Sequence, residues 1–140
     1  MITEENKNLL FRDLSSRFPY GVKVAYTTLS DDMPKVWDVI GLPAVGFVDI
    51  VVPGKYRFAA VPIEEIKPYL RPMNMTEEEE REVGKLGVCY DGAFHNDIYD
   101  VGICMEEAFT AISWLLERRF DINYLIQKGL ALEAPDGMYE

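Results

Sequence analysis

The residues with the most chemical potential in this 140-residue chain lie together between Cys89 and Asp100. His95 is the only histidine, and Cys89, Asp91 and Asp97 are all within six residues of it. Imidazole, thiolate and carboxylate groups together are a ligand set for a divalent transition metal. Their spacing matches no established metal motif, however, and Gly, Asp and Asn also favour turns. The sequence therefore predicts a surface turn here, with a metal site as the alternative.

The same segment contains residue pairs with catalytic potential. Cys89 and His95 become a nucleophile and its base only where the fold brings them within hydrogen-bond reach. Asp91 could pair with Asp97 or Asp100 for acid–base work, but 24 of 140 residues are acidic, so closeness in sequence carries little weight. The common P-loop, dinucleotide-binding, nucleophile-elbow and HExxH motifs are absent. An enzyme is therefore disfavoured, no catalytic residue is assigned and no cofactor is expected.

Aromatic side chains indicate a different kind of site, a protein-interaction surface. If the strands bring them to one face, four rings would line a groove for an extended peptide: Trp37, Tyr56, Phe58 and Tyr69. The alternative is that these rings belong to the core, as aromatic residues at alternating strand positions usually do. Trp114 lies outside the apolar stripe of its predicted helix. It either packs beneath the C-terminal segment or anchors a partner.

The charge balance excludes some classes of partner. The chain has 14 Lys plus Arg against 24 Asp plus Glu, a formal net charge of −10. Binding to nucleic-acid phosphates or to anionic membranes requires a basic face, so neither is expected. A local basic patch of Lys67, Arg71, Arg118 and Arg119 is the one exception to consider.

The chain carries none of the usual targeting segments. Its first residues, MITEENKNLL, do not resemble a secretory signal, and no apolar run approaches the ~20 residues that span a bilayer. Cys89 and Cys104 have no metal-binding spacing and are expected to be reduced thiols. We therefore expect a single cytoplasmic domain comprising residues 1–140.

The stretch from Tyr56 to Glu80 is expected to join a sheet-forming half to a helical half. Alternating residues predict a strand over Tyr56–Val61, which Pro62 ends because proline cannot donate to a ladder. Ile63 and Ile66 predict one short helical turn, and Lys67–Arg71 predicts another strand. Thr76 and Glu79 have the spacing of a capping box at the start of a helix.

The remaining elements follow from periodicity and from capping residues. Helices are predicted over Thr3–Arg17, Thr76–Leu86, Met105–Arg118 and Ile122–Lys128, with Asp121 as the cap of the last and Gly129 in a Schellman turn at its end. Met105, Phe109, Ile112 and Leu116 form the apolar stripe of the third helix. Further strands are predicted over 22–26, 36–40 and 45–52, and two small ones over 88–90 and 98–101.

These elements predict an α+β fold with an N-terminal helix, a small antiparallel sheet of four to five strands, and a helical C-terminal half. Short connections and the single turn before the last strand are the layout of a small SH3-like, partly open barrel. The alternative is an open sheet with the helices packed on one face. Such an analogy of fold carries no function.

Two segments resemble motifs of a known group of proteins. EIKPYLRPMNMTEEE (Glu65–Glu79) and FDINYLIQKGLALEAPDGMY (Phe120–Tyr139), roughly a quarter of the chain, are similar to motifs of short uncharacterised proteins predicted in intestinal anaerobic bacteria and their phages. The resemblance implies no activity, cofactor or catalytic residue. It implies a bacterial or phage-associated setting. Because PYLRPM and KGLALEAP recur together in such proteins, the two segments are expected to touch in the fold.

The function expected from these observations is that of a non-enzymatic protein-interaction or accessory module, related to a phage or mobile element. It would use Trp114, Tyr69 or Trp37. The rival is a small metal-dependent enzyme that uses the Cys89–Asp100 loop. A third hypothesis is an acidic mimic of nucleic acid.

Overall fold

The computed structural model describes residues 2–28, 33, 35–52, 58–85, 88–90, 94–96 and 105–139. Within these ranges the helices are α1 (Glu4–Arg17), α2 (Glu77–Gly84) and α3 (Met105–Glu117). The strands are β1 (Lys23–Tyr26), β2 (Lys35–Gly41), β3 (Phe47–Val51), β4 (Phe58–Pro62), β5 (Lys67–Leu70), β6 (Val88–Tyr90), β7 (Phe94–Asn96) and β8 (Leu132–Glu133). Single 3₁₀ turns follow α1 (Phe18–Tyr20) and β4 (Ile63–Glu65). None of these helices is both long and apolar enough to span a bilayer.

The main sheet has six strands in the order β4-β3-β2-β1-β5-β8. The first five strands pair antiparallel, and β8 adds to β5 in parallel. The α+β class and the N-terminal helix are therefore confirmed, but the sheet is mixed and open, with more strands than the predicted four to five. β8 contains only two residues, so it has no alternating pattern that the sequence could reveal.

The strand register divides the sheet into a core face and an outer face. Val24 lies directly opposite both Trp37 and Pro68, and directly opposed residues point to the same face. All three are buried. Leu10 and Leu14, one turn apart on α1, complete this core from above the sheet.

A charged pair is buried on the same face of α1. The carboxylate of Asp13 accepts hydrogen bonds from Nε and Nη2 of Arg17 at 2.6 and 3.1 Å, and both side chains are fully buried. Asn123, in the turns after α3, donates a third hydrogen bond to Asp13 at 2.8 Å. Within the described ranges, Nη1 of Arg17 has no hydrogen-bond partner. The hydrogen bond from Asn123 to Asp13 therefore connects α1 to the C-terminal part of the chain.

The two segments that carry the resemblance touch, as expected. Tyr69 pairs with Leu132 and Leu70 with Glu133 in the β5–β8 ladder. Leu70 and Leu130 lie in one core cluster. The prediction of contact is therefore confirmed as a parallel strand pair.

The predicted helix over Ile122–Lys128 is wrong, because the structure has consecutive turns there. Tyr124 has a φ of 55°, which lies outside the right-handed helical region, so a helix cannot run through it. Of its two end signals, the Schellman turn at Gly129 is confirmed, whereas Asp121 begins no helix and instead binds backbone groups of the turns. The Asp121 carboxylate accepts from the N–H groups of Leu125 and Ile126 at 2.8 and 2.9 Å. Gly129 has a φ of 74° in a Schellman turn.

The small hairpin differs from its prediction. β6 forms where residues 88–90 predicted a strand, but its partner is β7 at Phe94–Asn96, within the segment predicted to be a loop. The predicted strand over residues 98–101 lies outside the described residues.

We expect Asp13→Ala to destabilise the fold by about 3–5 kcal/mol, because it leaves the Arg17 guanidinium buried without its partner. Denaturation by urea, followed by circular dichroism, measures the loss. Asp13→Leu combined with Arg17→Met is the matched control, and it should recover most of the stability because it buries no charge. A loss below about 1 kcal/mol in Asp13→Ala would show that the pair is not buried.

Candidate interaction surface

Trp114 packs against neighbouring side chains of its own chain. Its indole stacks on the ring of Phe120, with the centroids 6.1 Å apart and the planes 13° from parallel. The guanidinium carbon of Arg118 lies 4.1 Å from the Trp114 ring centroid, and that of Arg71 lies 4.2 Å from the Phe120 centroid. We call these four residues the aromatic–arginine cluster. They leave Trp114 half-buried, in contact with Phe120 and Arg118.

Helix α2 holds both arginines of this cluster. Arg71 Nη2 donates to Glu79 Oε1 at 2.9 Å, and Arg118 Nη2 donates to Glu82 Oε2 at 3.4 Å. The two glutamates are three residues apart and so share one face of α2. Thr76 begins this helix with the capping box that its spacing predicted, because each of Thr76 and Glu79 bonds the other's backbone N–H.

Glu79 is a shared partner of the helix start and of Arg71. Partial burial raises the pKa of Glu79, but the hydrogen bond from Arg71, the backbone hydrogen bond of Thr76 and the Arg71 charge together lower it below its ordinary value. A carboxyl group with a lowered folded-state pKa stabilises the fold at neutral pH. Its contribution is lost as the pH falls through that pKa.

A cleft of about 600 Å³ lies beside the aromatic–arginine cluster. Three of the four residues of the predicted basic patch line it: Arg71, Arg118 and Arg119. Five carboxylates line it as well, namely Glu78, Glu79, Glu117, Glu133 and Asp136. The lining therefore carries a negative formal charge, and it is not a basic patch that attracts phosphate.

Arg119 and Tyr139 contact each other in the lining of this cleft. The Tyr139 hydroxyl donates to the carbonyl oxygen of Tyr69 at 2.7 Å and accepts from the N–H of Lys23 at 2.9 Å. The Arg119 guanidinium lies 4.8 Å from the Tyr139 ring centroid and donates to the carbonyl oxygens of Tyr20 and Gly21. Arg119 has a φ of 61°, an unusual conformation for a residue with a side chain. Its side-chain contacts offset that cost.

Tyr69 and Trp37 do not share a surface. Trp37 points to the core face with Pro68, so Tyr69, the next residue of β5, points to the outer face. Trp37 is buried and makes an edge contact with Tyr26, with ring centroids 5.7 Å apart. The two rings therefore cannot line one groove. Tyr56 lies outside the described residues.

The apolar stripe of α3 is covered at one end only. Leu116 is 5% exposed, whereas Ile112 is 47% and Phe109 is 72% exposed. These residues lie within about 60° of one another around the helix, so exposure rises along a single stripe towards the start of α3. The predicted stripe is therefore covered only in part. Sequence periodicity shows which face of a helix is apolar, but not how far its partner extends along it.

The hairpin of β6 and β7 pairs the two positions that carried the strongest chemical signal. Cys89 and His95 are directly opposed in its register. Asp91 and Asp97, the other predicted metal ligands, lie outside the described residues. Within the part of the chain that the structure describes, no three His, Cys, Asp or Glu side chains come together as a metal site.

Comparison with known proteins found no protein-family model, no curated protein and no solved structure that matches this chain.

Tyr139 gives the fold a dependence on alkaline pH. Burial raises the pKa of Tyr139 to about 12 against the opposing effects of its hydrogen bond with Lys23 and the charges of Arg119 and Arg17. The folded state keeps the phenol proton that the unfolded chain loses near pH 10. The stability that Tyr139 contributes is therefore complete below about pH 10 and is lost as the pH rises towards 12.

We therefore expect the stability difference between the wild type and Tyr139→Phe to shrink by about 2 kcal/mol between pH 9 and pH 11.5. Urea denaturation of both proteins at the two pH values measures it, and the variant serves as the control for other alkaline effects. A difference that stays constant would mean that the phenol ionises equally in both states.

Proposed function

We propose that this protein is a non-enzymatic interaction module that binds another protein through the start of α3. The observation that carries the proposal is the half-covered stripe, in which Leu116 is buried while Ile112 and Phe109 are exposed. A large aromatic and a branched aliphatic side chain one turn apart are the usual anchors of a helix in an apolar groove. The partner is accordingly a protein with such a groove.

The rest of α3 supports this use because it holds the helix in place. Leu115 and Leu116 fix its end in the core, and Trp114 is held by Phe120 and Arg118. A helix whose orientation is already fixed loses little conformational freedom when it binds, which favours affinity. We therefore assign partner binding to Phe109 and Ile112, on the same helix, rather than to Trp114.

The net charge of −10 indicates that the partner is basic around its groove. Opposite charge around an apolar groove accelerates encounter and rejects acidic competitors. A groove with a basic rim is therefore the complement of this surface. We further propose that the protein acts in the cytoplasm of a bacterium or in association with a phage, the setting that the sequence resemblance implies.

We also propose that strands β1 to β5 correspond to a small SH3-like, partly open barrel. In its support, β1 to β4 form a meander, a single 3₁₀ turn separates β4 from β5, and β5 returns to pair with β1. β8 is an addition to that layout, on the far side of β5.

Phe109→Gln combined with Ile112→Gln tests the function. We expect the free-chain stability to change by no more than about 0.5 kcal/mol, because both side chains are exposed. Capture from the native cell lysate should retain at least about tenfold less of the partner, since two anchors are lost. Met33→Gln is the matched control, because Met33 is 73% exposed elsewhere on the surface. A partner that the double variant and the control retain equally would contradict the α3 surface.

The second candidate is a metal-dependent enzyme, and the direct opposition of Cys89 and His95 favours it. Two such residues supply only part of the ligand set of a metal site, and the further ligands would have to come from the same loop. On this hypothesis His95→Ala abolishes bound metal, measured by elemental analysis of the purified protein, and leaves the circular dichroism unchanged. Equal metal content in the wild type and the variant would eliminate it.

A further inference from the structure

Strand β4 forms one edge of the main sheet in the part of the chain that the structure describes. Within the described residues, β4 pairs only with β3, and its other side faces no strand. The N–H of Ile63 donates to the carbonyl oxygen of Gly46 at 2.8 Å, which sets the phase of this ladder. Hydrogen-bonded pairs alternate along an antiparallel ladder, so Val61 bonds towards β3 while Ala60 directs its N–H and C=O outwards.

Proline at the end of the strand agrees with this phase. Pro62 is two residues from Ala60 and therefore also takes an outward position, where a missing N–H costs no bond to β3. The open edge consequently offers the N–H of Ala60 as a donor, with carbonyl acceptors on either side of it. This is the pattern that an additional strand requires.

We propose that the β4 edge binds an extended basic peptide segment of a partner protein as an additional strand. Backbone hydrogen bonds to the outward groups of Ala60 would supply part of the affinity, and side-chain pockets would supply the specificity. This surface is separate from the α3 stripe, and binding to it does not depend on Phe109 or Ile112.

A pocket with both apolar and charged lining lies at the Pro62 end of this edge. It has a volume of about 290 Å³, and Phe11, Val45, Phe47 and Pro62 contribute its apolar lining. Val45 is 77% exposed and Phe47 is 45% exposed. The pocket is small for a cofactor but has room for an apolar side chain of an added strand. It provides an anchor next to the exposed backbone groups.

The charges around the edge favour a basic segment. Lys7 is held between Glu4 and Glu64 at 3.3 and 3.6 Å, and all three line the pocket, which leaves it with a net formal charge of −1. Asp49, which pairs with Ala60, adds a carboxylate on the outer face. With a chain charge of −10, a second copy would bring two acidic edges together, which is unfavourable. A lysine- or arginine-bearing strand from another protein is the complement.

Fluorescence anisotropy with a synthetic peptide tests the binding. The probe is a labelled peptide of about ten residues that alternates lysine and valine, long enough to cover β4. We expect saturable binding that weakens with added salt, and at least about tenfold weaker binding of a peptide in which glutamate replaces lysine. Absence of binding up to about 1 mM peptide would overturn the proposal.

Two further measurements locate the binding at the edge. Ala60→Pro removes the outward N–H without removing a hydrogen bond to β3, and it should weaken binding by about tenfold. The matched Ala60→Thr keeps that N–H and should bind as the wild type does. In the unmodified protein, the peptide should slow hydrogen exchange at the Ala60 amide, a readout that does not depend on how a variant folds. Unchanged exchange at Ala60 would overturn the proposal, even if the peptide binds. Phe109→Gln with Ile112→Gln should leave peptide affinity unchanged, which separates this test from that of α3.

Discussion

The buried ion pair of Asp13 and Arg17 joins α1 to the turns that follow α3. Two charges removed from water are tolerable only when their partners stay in place, because an unpaired charge in the core costs several kcal/mol. Asn123 completes the hydrogen bonding of Asp13 at 2.8 Å, so the turns after α3 cannot move away from α1 without exposing that cost. The turns after α3 are thereby held against α1, while Phe109 and Ile112 of α3 stay exposed.

Local signals in the sequence predicted the local structure well. The capping box of Thr76 and Glu79, the Schellman turn at Gly129 and the termination of β4 at Pro62 are all present, because each depends on a few adjacent residues. Pairings between distant segments were less accessible. β8 is too short to show a hydrophobic period. The only sequence signal for the buried pair is the i, i+4 spacing of Asp13 and Arg17 beside two leucines. The contacts of Arg119 and Tyr139 have no signal in the sequence, since their hydrogen-bond partners are backbone groups elsewhere in the chain.

The sequence predicted an interaction surface of the right chemical kind but at different residues. Trp114 lies outside the periodic stripe, and its contacts with Phe120 and Arg118 account for its position. The exposed residues are instead Phe109 and Ile112, which belong to the predicted apolar stripe. Whether an apolar stripe is covered depends on the length of the elements that pack against it, a tertiary property that single-sequence periodicity does not contain.

The exposure of Phe109 in the free and bound protein is the most direct test of this account. Hydroxyl-radical footprinting with mass spectrometry compares the oxidation of Phe109 with that of Phe120, which is fully buried. We expect Phe109 to be oxidised much faster than Phe120 in the isolated chain, and to become protected in complex with the captured partner. If Phe109 is as protected as Phe120 in the isolated chain, the stripe is already covered and the proposed interaction surface does not exist.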